Sequence, residues 1–245
     1  MKIIAFTICY NQIRILPWFL RHYSSFVDEI SVFDDHSTDG SREMLQANPK
    51  VILRDWPYDT GIDEDLFLEH AYDWNIKAFQ GGFDWVIWAD CDEFIYAPDV
   101  RKVLEESKYE VIRTKGYNML GDGLPKDDGK SQIWQVHKNG VAAPVYSKSV
   151  VFRPSIKIRW NRGKHALEDC NPKISPDPMF KLLHYRYMGY KYTRDINAKN
   201  YSRCGLKTGD KGAAWSCAPE YKGEHSPEWA EKAKIKALNV VDAPL

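Results

Sequence analysis

The chain reads as an α/β fold: a mostly parallel sheet with helices on both faces, a smaller region after it and a helix near the C-terminus. Two observations point there. Short apolar runs alternate with helical stretches four times before residue 90, the pattern of parallel strands joined by crossover helices. Two of those runs also end in clusters of acids, at the strand end where open α/β sheets place their ligands. With 245 residues and 44% hydrophobic content, the chain can fill one core, and it is read as a single domain spanning 1–245.

Residues 2–8 predict the first strand. Pro17 suits the first turn of a short helix running through Leu20 and His22. Residues 28–33 predict the second strand. Ser41–Ala47 follows as a helix, with Asp39 as its N-cap, and Val51–Arg54 as a third strand. Glu64–Phe79 carries Phe67, Ala71, Trp74 and Ala78 at helical spacing. Trp85–Ala89 is then a buried fourth strand. Asp99–Glu106 predicts a helix and Val111–Thr114 a strand, while the Gly-rich, charged segment Gly116–Lys130 reads as an irregular loop. Trp134–Val136, Val145–Phe152, Lys157–Trp160 and Phe180–Tyr185 read as strands, and Tyr190–Tyr201 as a helix. Gly205–Gly223 reads as mobile. Ser226 and Pro227 then open a terminal helix over Glu228–Leu238.

Composition narrows the function. Thirty-four basic residues balance 34 acidic ones, which argues against a nucleic-acid or polyanion binder. Five cysteines, an odd number without paired metal spacing, favour a reduced, cytoplasmic setting. No apolar stretch reaches the length of a membrane span, and the chain starts directly on a strand, which leaves no room for a signal peptide. Work at a membrane surface stays open. Aromatic content of 13% exceeds what the core needs, so some rings are expected to line a groove for a sugar or a base.

The chemistry concentrates in two segments. Phe83–Glu93 carries a strand straight into Asp90-Cys91-Asp92-Glu93, and Asp90 and Asp92 project the same way if the chain stays extended. Carboxylates crowded at a strand end repel one another unless a cation holds them, and such oxygen-rich clusters suit Mg²⁺ or Mn²⁺. The second segment, Val32 to Ser41, follows a strand with Asp34-Asp35-His36-Ser37-Thr38-Asp39-Gly40. Both read as parts of a metal-assisted active site.

Taken in order, Cys9-Tyr10-Asn11, Asp-Asp-x-Ser-x-Asp-Gly-Ser and Asp-x-Asp-Glu-Phe resemble a GT-A glycosyltransferase of the family 2-like group, over about residues 1–190. The resemblance implies a donor of the nucleoside-diphosphate sugar type and a glycan or other hydroxyl acceptor. It also implies Mn²⁺ or Mg²⁺ as cofactor, a nucleotide-binding half over 1–95, and an acceptor and metal-completing half over 96–204. By resemblance Asp92 takes the metal, and Asp90 takes the ribose or reaches the metal through water. Asp34 or Asp35 accepts the imino proton of uracil or guanine, Tyr10 stacks on the base and Thr7 bonds it. Asn75 matches a position near the nucleotide. His184 completes the metal shell, with His165 as its rival. Arg159, Arg162, Lys164, Arg186 and Lys191 form a basic group that would stabilise a departing diphosphate. Asp122, Glu168 and Asp169 are the candidates for general base. Three rivals stand beside this reading: a haloacid-dehalogenase-like phosphatase, a sugar nucleotidyltransferase and a catalytically inactive carbohydrate-binding relative.

Overall fold

The computed structural model of the chain describes residues 1–59, 61–156, 158–161, 164, 167–168, 171–204, 218–219 and 221–245. Its first half follows the predicted alternation. Strand β1 (Ile3–Cys9) leads to α1 (Leu16–Ser24), β2 (Glu29–Asp34), α2 (Ser41–Gln46), β3 (Val51–Asp55), α3 (Glu64–Gln80) and β4 (Trp85–Trp88). Pro17 sits in the first turn of α1 as its missing N–H allows. The N-cap of α2 is Gly40, at φ 93°, one residue later than expected. Asp39 instead accepts N–H bonds from Ser41 and Ile13, so its carboxylate ties two loops together.

The remaining elements are β5 (Glu93–Tyr96), α4 (Val100–Glu106), β6 (Val111–Ile112), β7 (Thr114–Gly121), α5 (Ile133–Val136), β8 (Asn139–Ala142), β9 (Val151–Phe152), β10 (Arg159–Trp160), β11 (Leu167–Glu168), β12 (Phe180–Met188), α6 (Tyr190–Arg203), α7 (Pro227–Ala233) and β13 (Leu238–Asn239). One sheet runs β3-β2-β1-β4-β9-β6 and a second runs β13-β8-β7-β12-β5. In the first sheet β3, β2, β1 and β4 are parallel, and β9 joins antiparallel. Strand order reverses direction at β1. Right-handed crossovers therefore carry α3 to the face opposite α1 and α2 and open a crevice at the carboxyl ends of β1 and β4.

The second sheet departs most from the expectations. Residues 116–121, read as the start of a Gly-rich, charged loop, belong to the buried strand β7 beside β12. Gly116 has a packing reason: a Cβ there would lie 2.4 Å from the backbone of Tyr146 and 2.5 Å from the carbonyl of Ala143. Trp134–Val136 is helical rather than extended. Gln135 Oε1 accepts the Gln132 N–H at 2.8 Å and closes the turn locally. Of Val145–Phe152 only the last two residues are strand, since Pro144–Tyr146 is a single 3₁₀ turn. The terminal helix ends at Ala233, and β13 then adds to the edge of β8. Most of the segment 205–223 lies outside the described residues.

The core explains much of the aromatic content. Trp18, Trp85, Trp88, Phe6, Phe33, Tyr185 and Tyr187 are fully buried, and Phe6 stacks on Trp88 with centroids 4.8 Å apart. Between the two sheets lies a buried ion pair, with Lys148 Nζ 2.5 Å from Glu93 Oε1. Both side chains are almost fully enclosed. Removing one partner of such a pair strands the other charge out of water. Lys148→Met should therefore lower the unfolding free energy by about 3–5 kcal/mol, and adding Glu93→Gln should recover much of that loss. Urea unfolding midpoints of the two variants check this.

Candidate active site

A cavity of about 420 Å³ opens at the crevice between β1 and β4. Its wall combines the end of β1 (Thr7, Ile8, Tyr10), the loop after β2 (Asp35), the turn after β4 (Asp90, Cys91, Asp92), the start of α3 (Asp63, Glu64, Phe67), strand β12 (His184, Arg186) and one face of α6.

The acidic turn is built locally. Strand β4 stops at Trp88, and Glu93 N–H donates 2.9 Å back to the Asp90 carbonyl. Asp90 and Asp92 therefore leave a tight turn rather than an extended strand, a correction to the expected geometry. Both face the cavity because the turn is pinned from below, where Glu93 Oε2 accepts the Asp90 N–H at 3.3 Å. Register then supplies the histidine. His184 of β12 lies beside Glu93 of β5 on one side and Asn118 of β7 on the other. Its Nε2 is 3.6 Å from Asp92 Oδ2, and its Nδ1 is 3.1 Å from Asn118 Oδ1. Nδ1–H donates to Asn118 Oδ1, which leaves Nε2 facing Asp92, the ring orientation a metal-ligating imidazole needs.

Cations offset the acids. Lys164 Nζ lies 2.9 Å from Asp90 Oδ1. The Asp90 side chain is 58% exposed, and what desolvation the surrounding protein imposes on it is outweighed by Lys164 and then Lys148, which hold the carboxyl below the usual range. Asp92 is lowered too: burial opposes the shift, and the His184 side chain drives it. Asp35 forms an ion pair with Arg203, whose guanidinium lies 3.6 Å over the centroid of the Tyr10 ring. Lys199 Nζ donates to the carbonyls of Tyr10 and Asn11.

Among the described residues, no group of three or more His, Cys, Asp and Glu is arranged to hold a metal. Asp92 and His184 form a two-donor set. That fits Mg²⁺ or Mn²⁺, which take much of their coordination from phosphate oxygens and water.

The other sequence candidates fall in three groups. Thr7, Tyr10, Asp35, Asp90, Asp92 and His184 come together on the cavity, with Lys164 and Arg186 beside them. Asn75 and Asp34 are buried close by but turned to structural partners. Asn75 accepts from Trp88 Nε1 at 2.8 Å, and Asp34 pairs with Arg42 at 2.9 Å. Lys191, Asp122 and Glu168 stand away from the wall. Lys191 pairs with Asp195, Glu168 lies exposed on β11, and the Asp122 carboxylate is 95% exposed against Lys234. A base must come within hydrogen-bond reach of the hydroxyl it deprotonates. From those positions neither Asp122 nor Glu168 is part of the cavity wall. His165, Asp169 and Arg162 lie outside the described residues.

Sequence reasoning passed over Lys148, Lys199, Arg203 and Tyr146. Helical spacing could have found two of them, because Ile196, Lys199, Asn200 and Arg203 share one face of α6 and all line the cavity. Lys148 has no comparable local signal.

No family model matches the chain, and no curated protein matches it. Among solved structures it is similar to HddC from Yersinia pseudotuberculosis, at 11% identity over 75% of this chain and 90% of that one, with a TM-score of 0.39. It is also similar to a 4-diphosphocytidyl-2C-methyl-D-erythritol synthase, at 13% identity over 62% and 75%, with a TM-score of 0.38. A third is a mannose-1-phosphate geranyltransferase from Thermus thermophilus, at 9% identity over 64% and 51%, with a TM-score of 0.34. Likeness at this level carries no argument about activity, and the site rests on its own geometry. Among the described residues no helix is long and apolar enough to cross a membrane.

The lowered carboxyls set an acid dependence. A carboxyl depressed in the folded state stabilises it above its unfolded pKa of about 4, and that contribution is lost as pH falls through the folded value. In metal-free buffer the urea midpoint should hold from pH 7 to about 5 and decline below about 4. Asp90→Asn should make the decline shallower, as midpoints collected against pH would show.

Proposed function

We propose that the cavity is the donor site of a glycosyltransferase that moves a sugar from a nucleoside-diphosphate sugar to an acceptor hydroxyl, on a glycan or similar molecule. The observation that carries this reading is the meeting of the Asp90–Asp92 turn, His184 and the lysines 148 and 164 at the point where strand order reverses. Ligands of open α/β sheets sit there, and a diphosphate needs both kinds of charge around it.

In this reading Asp92 and His184 hold Mn²⁺ or Mg²⁺. The ion, when bound, would supply Lewis acidity toward the diphosphate oxygens. Lys164, paired with Asp90, and Lys148 lie where negative charge grows on the leaving nucleoside diphosphate, and fixed cations there favour the transition state. Asp90 reaches toward the ribose end. Tyr10 offers a ring face to the nucleobase and Asp35 an acceptor to its imino N–H. Asp122 and Glu168 are left out of the reaction because both stand off the cavity wall.

The test is release of nucleoside diphosphate from a panel of nucleotide sugars with Mn²⁺. EDTA should abolish release and added Mn²⁺ restore it. Asp92→Asn should lose most activity while circular dichroism shows the chain still folded at pH 7. His184→Ala should weaken Mn²⁺-dependent donor binding. Full activity in EDTA would end the metal assignment. Release of pyrophosphate in place of the nucleoside diphosphate would point to nucleotidyl transfer.

A further inference from the structure

We propose that Arg203 sets the donor affinity of the site by competing with the nucleobase for Tyr10 and Asp35. The inference rests on the donor-site reading above and goes one step past it.

Two features of the wall are suited to a base: the flat face of Tyr10 and the carboxylate of Asp35. In the structure one side chain engages both. The guanidinium carbon of Arg203 sits over Tyr10, 3.6 Å from the ring centroid, and the group donates to Asp35 Oδ2. A guanidinium is planar, stacks on aromatic rings and presents in-plane N–H donors. Those are the properties by which a pyrimidine or purine with an imino N–H would bind the same pair. Arg203 is thus a chemical surrogate for the base, supplied by the chain itself.

The contact is enclosed and anchored. Arg203 and Asp35 side chains are 14% and 9% exposed, so solvent screens their attraction weakly. The end of α6 is also fixed to the loops that form the base end of the cavity. Lys199 Nζ donates to Tyr10 O and Asn11 O at 3.1 and 2.9 Å, and Ile62 N–H donates to Arg203 O at 3.0 Å. These backbone anchors deliver the guanidinium to Tyr10, which separates it from a surface arginine that folds over by chance.

A base and the guanidinium cannot share the same stacked face and the same carboxylate oxygen. Nucleotide binding therefore requires Arg203 to withdraw, and the observed affinity is the intrinsic affinity scaled by the fraction of molecules in which it has done so. The competition acts on the base end alone. A ligand that has the diphosphate but no base does not meet it.

The test is calorimetric titration of the full chain with UDP, GDP, CDP, ADP and dTDP in Mg²⁺, comparing wild type with Arg203→Met. Methionine keeps an apolar stem against Tyr10 but loses the charge and the donors. The nucleoside diphosphate that binds wild type should bind the variant about fivefold or more tightly, while inorganic pyrophosphate should bind both alike. Equal or weaker nucleotide binding by the variant would overturn the proposal and make Arg203 a structural or directly contacting residue. If no nucleoside diphosphate binds either protein, the donor-site reading itself falls and this inference falls with it. A second measurement uses wild type only, in case the variant folds poorly. The ¹⁵N-detected Nε–H signal of Arg203 should shift on addition of the bound nucleotide and stay in place on addition of pyrophosphate. A signal unmoved by the saturating nucleotide would likewise overturn the competition.

Discussion

The buried pair between Glu93 and Lys148 is the constraint on which the rest of the site depends. Glu93 opens β5 in the second sheet, and Lys148 lies just before β9 of the first, so the 2.5 Å contact joins the two layers at the floor of the cavity. Each partner is held a second time. Glu93 accepts the Asp90 N–H, and Lys148 exchanges two backbone bonds with the hydroxyl of Thr114, both at 2.9 Å. Two charges out of water need one another and need their remaining hydrogen-bonding capacity filled. Both conditions are met here, and the acidic turn inherits a rigid base.

Charge balance follows from that floor. Asp90, Asp92 and Asp35 line one half-open cavity, an arrangement that repels itself unless cations are interleaved. The chain interleaves its own, Lys164 against Asp90 and Arg203 against Asp35, and sets the His184 ring beside Asp92. Each internal partner stands at a carboxylate that the proposed ligands would also use. A site neutralised by its own side chains needs no ligand to be stable, and ligand binding becomes an exchange of partners rather than an addition of charge to a bare cluster.

Helix α6 links this exchange to the fold. Its cavity face spans Ile196 to Arg203, and it holds the loop after β1 through Lys199. Strand β12 immediately precedes it and carries His184 and Arg186. One continuous segment thus lines the Asp92 end of the cavity with a strand and the Tyr10 end with a helix. Movement of α6 would be felt at Tyr10 and Asp35.

Local patterning determined the first half of the molecule. The elements from β1 to β4 lie within a residue or two of their sequence expectations, because apolar period, Pro17 and the acid turns act over a few neighbouring residues. The same local signals marked Asp35, Asp90 and Asp92, and strand ends in an α/β sheet deliver such residues to one edge. His184 was legible only through a family resemblance. What tertiary structure alone decided was the second sheet and the cations. Gly116 and Asn118 look like loop residues until Tyr146 and His184 are packed against them. Trp134 reads as strand until the Gln135 side chain closes a helical turn. Lys148 and Arg203 reach carboxylates 55 and 168 residues away. Nothing in a window of neighbours encodes a partner at that distance, since such pairs form only where folding has removed water and left each charge to find the other.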